Sequence, residues 1–104
     1  MAIDIVTTFL DTATVVVWAY VYDSDDALTD PTGITLDIYD PDGTKQVDGS
    51  AMTKSATGIY YYYYHIGSGE DPMAEGRWRG IVTVVDGSGV LAKYTPQAFA
   101  FKVQ

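Results

Sequence analysis

The sequence predicts an all-β fold, an antiparallel β-sandwich of seven to eight strands forming one domain over residues 1–104. Three observations predict it. Runs rich in Val, Ile, Thr, Tyr, Phe and Trp recur about every ten residues. Turn sequences separate the runs, among them Asp40-Pro41-Asp42-Gly43, Ala56-Thr57-Gly58 and Asp86-Gly87-Ser88-Gly89. No long window carries apolar residues at helical spacing unbroken by Gly, Pro or strand formers. The length suits one domain: surface scaling gives about 16,000 Å² unfolded and about 5,700 Å² folded, so roughly two thirds is buried. Such a core needs no covalent staple, and the chain has no Cys. That excludes a disulfide scaffold, thiolate metal sites and thiol nucleophiles.

Taken in order, Asp4–Leu10 reads as a first strand and Thr12–Tyr22 as a long second one, followed by an acidic loop, Asp23–Gly33. Ile34–Tyr39 is next, closed by a tight turn in which Pro41 fixes φ and Gly43 can take φ > 0. Thr44–Val47 and Ala51–Lys54 read as short, weaker strands before the aromatic run Ile59–Ile66. A loop, Gly67–Gly76, leads to Arg77–Val85, and a hairpin turn leads to the last strand, Val90–Val103. Thr95-Pro96 is expected to interrupt that strand, because Pro cannot donate to a ladder except at an edge or bulge.

Side chains alternate across a strand, so polarity assigns the faces. In Arg77–Val85 the two arginines cannot sit unpaired in an apolar interior, so Trp78, Gly80, Val82 and Val84 face in. By the same rule Ile34, Leu36 and Ile38 face in while Asp37 faces out, and Phe99, Phe101 and Val103 face in while Lys102 faces out. The second strand offers a small aliphatic set, Ala13, Val15, Val17, Ala19 and Val21, against Thr14, Val16, Trp18, Tyr20 and Tyr22. The aliphatic set suits a core opposite Trp78 and Phe101, which turns three aromatics outward. In the tyrosine run, His65 is better placed outside, so Tyr61 and Tyr63 accompany it and Tyr60, Tyr62 and Tyr64 face in.

In a sandwich of immunoglobulin type these two strands are neighbours. Trp18, Tyr20, Tyr22, Tyr61 and Tyr63 then form one outward aromatic patch of a few hundred Å². That is a size at which a patch often marks a partner. Cross-strand aromatic pairs also stabilise solvated sheets by roughly 0.2–1 kcal/mol each, so a purely structural role stands beside a binding one. Tyr and Trp are enriched in interface cores, where Lys and Glu are depleted, and the patch holds neither Lys nor Glu.

Little in the chain is suited to catalysis. With one His and no Cys, any Ser-His-Asp arrangement must use His65, which ends a tyrosine run with no nucleophile-elbow sequence near it. Glu70 and Glu75 lie in one loop beside Asp71, an unpromising pair for glycoside hydrolysis. The reading is therefore non-catalytic, with no cofactor. The acidic loop concentrates hard oxygen ligands of the kind Ca²⁺ takes, and Asp23, Asp25 and Asp30 are its candidate ligands. Read as an EF-hand from Asp23 it fails, with Leu28 where Gly is needed and Ile34 where Glu is needed. A solvated acidic loop is the alternative.

The net charge of −8, from 14 acidic and 6 basic residues, and a pI near 4.1 make nucleic acid and anionic membranes poor partners. Met1–Ile5 has neither a basic n-region nor an apolar h-region, so no signal peptide is expected, and no apolar run approaches the roughly 18 residues of a membrane-spanning helix. Asn is absent, which excludes glycosylation sequons and removes a thermolabile residue type, a trait of proteins from hot habitats.

The stretches Ile34–Gly43, Gly58-Ile59-Tyr60-Tyr61-Tyr62, Glu75-Gly76-Arg77-Trp78 and Phe99-Ala100-Phe101-Lys102-Val103, in this order, resemble a recurring layout. It is similar to that of prokaryotic immunoglobulin-like β-sandwich domains, including short stand-alone ones of prophages, and the similarity runs from Asp4 to Val103. The chain departs from it in lacking an inter-sheet Cys pair and in the length of its Tyr60–Tyr64 run. The resemblance implies a spacer, decoration or attachment role and transfers no functional residue. The function expected is a structural or assembly module, set in a virion as head decoration or tail (cytoplasmic before assembly), binding copies of itself or a larger lattice through the aromatic face. The alternative is a carbohydrate-binding or adhesin module of a larger cell-surface protein, in which Trp18, Tyr20, Tyr61 and Tyr63 stack on pyranose rings.

Overall fold

β-Branched and aromatic residues at every second position leave a chain little choice but the pleated conformation. In the computed structural model, which describes residues 2–10, 14–66, 76–87 and 89–103, they form eight strands. These are β1 (Ala2–Phe9), β2 (Thr14–Tyr22), β3 (Gly33–Tyr39), β4 (Lys45–Ala51), β5 (Thr53–Ala56), β6 (Ile59–His65), β7 (Gly76–Asp86) and β8 (Lys93–Val103). Two antiparallel four-stranded sheets pack together, ordered β1-β2-β6-β5 and β4-β3-β7-β8. With β4 beside β3, this is the immunoglobulin strand order, A-B-E-D facing C′-C-F-G.

The inner faces are the ones the alternation assigns. Val15, Val17, Ala19 and Val21 of β2 meet Leu36 and Ile38 of β3 and Trp78, Val82 and Val84 of β7 in one apolar cluster, closed by Phe101 and Val103 of β8. Tyr60 is buried from β6, and Tyr62 and Tyr64 pack against the cluster from the same strand. Trp78 stacks on Phe101 at 5.9 Å between ring centroids and meets Tyr64 at 5.9 Å.

Several expectations about individual elements need correction. The two weak strands are one extended run broken at Met52, where the chain passes from the second sheet to the first. Met52 is buried at that corner, and its N–H points to the carbonyl of Ile34 at 3.4 Å. A bulge lets β4 run to Ala51: Leu36 pairs with Ser50 but Ile38 with Val47, and Asp37 accepts the Gly49 N–H at 2.6 Å. Pro96 does not interrupt the last strand. It aligns with Thr83 inside an unbroken ladder, because β8 is an edge strand with a row of backbone groups that need no partner. Val90 and Leu91 belong to a single 3₁₀ turn, Gly89–Leu91, and not to the strand. Thr12, Ala13, Ser88 and the loop holding Glu70, Asp71 and Glu75 lie outside the described residues.

The Asp40–Gly43 turn forms as its sequence dictates. Gly43 takes φ 89°, its N–H donates to the Asp40 carbonyl at 2.9 Å, and Asp40 Oδ1 accepts the N–H groups of Asp42 and Thr44 at 3.0 and 2.8 Å. Partial burial works to raise the Asp40 pKa, but the hydrogen bond from Gln46 and those from the turn backbone outweigh it and hold the carboxyl below its usual range.

Candidate functional site

The outer face of the first sheet is built from the polar-side register of three paired strands. Trp18 stands directly between Val6 on β1 and Tyr61 on β6, and Val16 stands between Thr8 and Tyr63. The rings of Trp18 and Tyr61 lie 5.4 Å apart and those of Tyr61 and Tyr63 lie 5.3 Å apart, each pair tilted by about half a right angle. The result is a continuous row of three rings across β2 and β6. Tyr63 is 58 % exposed, Val6 is exposed, and Trp18 and Tyr61 are half-buried.

Tyr20 and Tyr22 share the face and are half-buried, but they do not join the row of ring contacts among the described residues. Val16 departs from the expectation that its whole set is exposed: it is only 4 % exposed although it belongs to the outer register and not to the core cluster. A small side chain set between Thr8 and Tyr63 is shielded by its own neighbours, so the row rests on a closed apolar seat. At the end of the row His65 Nδ1 lies 3.0 Å from Thr14 Oγ1, a cross-strand pair on the same face.

The acidic loop between β2 and β3 is organised by its own backbone. Asp23 Oδ1 accepts the N–H of Asp25 at 2.8 Å and of Ala27 at 3.1 Å, and Asp26 sits at φ 61°. The structure does not gather Asp23, Asp25 and Asp30. Among the described residues no three His, Asp or Glu side chains come together as a metal-holding group.

Asp30 is engaged elsewhere. Its Oδ2 accepts from Lys54 Nζ at 2.6 Å, and its Oδ1 accepts from the Gly58 N–H at 2.9 Å and from the Tyr60 hydroxyl at 3.1 Å. The hydrogen bond from Lys54, then that from Gly58, holds the carboxyl below its ordinary 3.8, and the same contact holds Lys54 above 10.5. Burial, with the bond to Asp30 second, pushes the Tyr60 phenol above 10.0. This carboxylate clamps the β2–β3 connection to the β5–β6 turn. Nothing local in the sequence signals it, because the partners lie 24, 28 and 30 positions away.

The clamp gives stability a definite pH dependence. Because the folded pKa of Asp30 is lowered, its contribution is complete above the unfolded value and is lost as pH falls through the folded one. Lys54 and Tyr60 are raised, so their contributions are complete below their ordinary values and are lost as pH rises through the raised ones. The melting-temperature gap between wild type and Asp30→Asn should therefore be constant from about pH 5 to about pH 9 and should shrink at both extremes. A gap that persists unchanged in acid would show that the carboxylate charge plays no part.

A second grouping, missed in the sequence, lies on the outer face of the other sheet. Arg77 faces Lys102 across the β7–β8 ladder and Arg79 follows on the same side. Alternation makes the face legible, but the pairing of Arg77 with Lys102 emerges only from the register. No protein-family model, curated protein or solved structure matches this chain.

Proposed function

We propose that this chain is a non-catalytic structural module that joins copies of itself or a larger lattice through the face bearing Trp18, Tyr61 and Tyr63. The observation that carries the reading is the continuous ring row on an outer sheet face, with Tyr63 more than half exposed. Rings of this kind anchor interfaces because they combine large apolar area with few torsions to freeze. No lysine, arginine or glutamate stands in the row or directly across the ladder from it, and charge is what interface cores shed. The tilt of 45–48° between neighbouring rings makes a ridged surface, better suited to interdigitating with protein side chains than to lying flat under a sugar. A virion is the setting this reading takes, on the strength of the motif resemblance alone.

Light scattering coupled to size exclusion at about 1 M salt, where ionic contacts are screened to about 3 Å, tests the reading. Wild type should associate with itself or with purified shell proteins, and Trp18→Ala and Tyr63→Ser should lose that association while keeping a native circular dichroism spectrum. A wild-type chain that stays monomeric and ignores shell proteins overturns the reading, and binding on a glycan array replaces it with the sugar-binding one.

A further inference from the structure

The second sheet carries a charge pattern that its own stability does not require. Only six cations stand against 14 carboxylates in this chain, yet Arg77, Arg79 and Lys102 share one corner of the outer face of β7 and β8. Like charges directly opposite one another destabilise a sheet, and Arg77 and Lys102 are so placed. Lys45 is paired with Asp37 and Asp48, and Lys54 with Asp30, whereas among the described residues the three corner cations, and Lys93 standing across the ladder from Asp86 at the other end of β8, have no ion-pair partner. Beside them the short side chains of Ala98 and Ala100 leave an open depression of about 620 Å³, which reaches Tyr39 and Ile81.

The far end of the sandwich carries the complement. The β2–β3 connection and the β7–β8 hairpin meet there, tied by the Gly87 N–H to Thr32 Oγ1 at 3.0 Å. The side chains of Asp25 and Asp26 are exposed at the tip of their turn, without an ion-pair partner among the described residues. The 3₁₀ turn holds Val90 fully exposed and Leu91 83 % exposed. Two large apolar side chains at a hairpin tip lose nothing by folding that way and gain nothing until another surface covers them. From Val85, at this end, back to Arg77 is eight residues, about 26 Å of strand. The carboxylates and the corner cations of one molecule therefore cannot neutralise each other.

We infer that copies of this chain associate head to tail, with Asp25, Asp26 and the Val90–Leu91 tip of one copy seated on the Arg77, Arg79 and Lys102 corner of the next. The carboxylates meet the unpaired cations, and the apolar tip enters the depression beside them. Because the two surfaces differ, the contact is heterologous and propagates into a filament or a ring. The aromatic row takes no part, so this contact stands or falls independently of it. Each copy carries −8, so the bodies repel at long range. Association is favoured near 0.1 M salt, where a screening length of about 10 Å damps that repulsion but spares contact pairs.

The test is sedimentation velocity in a Trp18→Ala background, which removes association through the aromatic row. At about 0.1 M salt the background protein should grow in mass with concentration, and should do so less at about 1 M. Arg77→Glu/Arg79→Glu should weaken association by about tenfold or more. Asp25→Lys/Asp26→Asn should do the same, with Asn chosen because it tolerates the φ of 61° at that position. An equimolar mixture of the two double variants should associate again, which two misfolded proteins could not do. A background protein that is monomeric at both salt concentrations, a corner variant that associates as well as its parent, or a mixture that stays monomeric overturns the inference.

Discussion

Gly58→Ala should lower the melting temperature by about 12 °C or more, through two additive causes. Gly58 sits at φ 73° in the β5–β6 turn, where an L side chain costs about 1–2 kcal/mol. A Cβ there would also lie 2.8 Å from the Thr29 nitrogen, 2.9 Å from Leu28 Cβ and 2.9 Å from the Val21 carbonyl oxygen. Those atoms cannot step aside. The Thr29 N–H donates to that same Val21 oxygen at 3.0 Å, and the Val21 N–H donates to the Gly58 carbonyl at 2.8 Å. Relief of the overlap would pull apart the β2–β3 connection and loosen the grip of Asp30 on the Gly58 N–H. Together the effects amount to about 3 kcal/mol or more, and a domain of this size loses roughly 4–8 °C per kcal/mol. Gly43→Ala is the control: φ is 89° with nothing within 4 Å of the added carbon, so only the conformational cost remains, about 1 kcal/mol. Thermal unfolding of both variants decides the matter, and equal losses would remove crowding from the account.

The contrast between those glycines shows where sequence reading succeeds and where it stops. Asp40-Pro41-Asp42-Gly43 is a self-contained turn, with the backbone partners that shape it inside four residues, and its geometry follows from its letters. Gly58 lies in an equally recognisable turn, but its tight packing comes from Val21, Leu28 and Thr29, which are 29 to 37 residues earlier. Asp30 suffered the same blindness: among aspartates it reads as a cation ligand, while its real partners arrive from β5 and β6. The faces were legible because burial forces a binary choice at each position. Arg77 and Arg79 on one side and Trp78 on the other leave no freedom, and four small aliphatics in β2 decide the direction of Trp18. The polar stretch from Lys45 to Ala51 offers no such alternation, so its letters mark neither the boundary between β4 and β5 nor the bulge at Gly49. Whether Pro96 breaks a strand depends on whether that strand is an edge, a property of the whole sheet.

Trp78→Ala should cost about 3–5 kcal/mol, the loss expected for truncating a large buried ring, and a melting temperature lower by at least roughly 12 °C. The indole is 3 % exposed, stacked on Phe101 and set against Tyr64, so its removal opens a cavity between the two sheets. That is a large share of the roughly 5–15 kcal/mol a domain possesses. Trp18→Ala should behave differently although it deletes the same side chain from a strand with aromatic neighbours. It forfeits the ring contact with Tyr61 and some partial burial, about 1 kcal/mol, while Val15, Val17 and Ala19 behind it remain packed. Urea unfolding of the two variants side by side therefore measures the phasing of β2 and β7 directly. If Trp78→Ala is the costly one and Trp18→Ala spares the fold but loses the association that survives about 1 M salt, the two tryptophans divide the labour: one holds the sheets together and the other meets a partner. If Trp18→Ala proves the costlier, the outer row is a brace for the first sheet, and the exposed phenol of Tyr63 no longer argues for a docking surface.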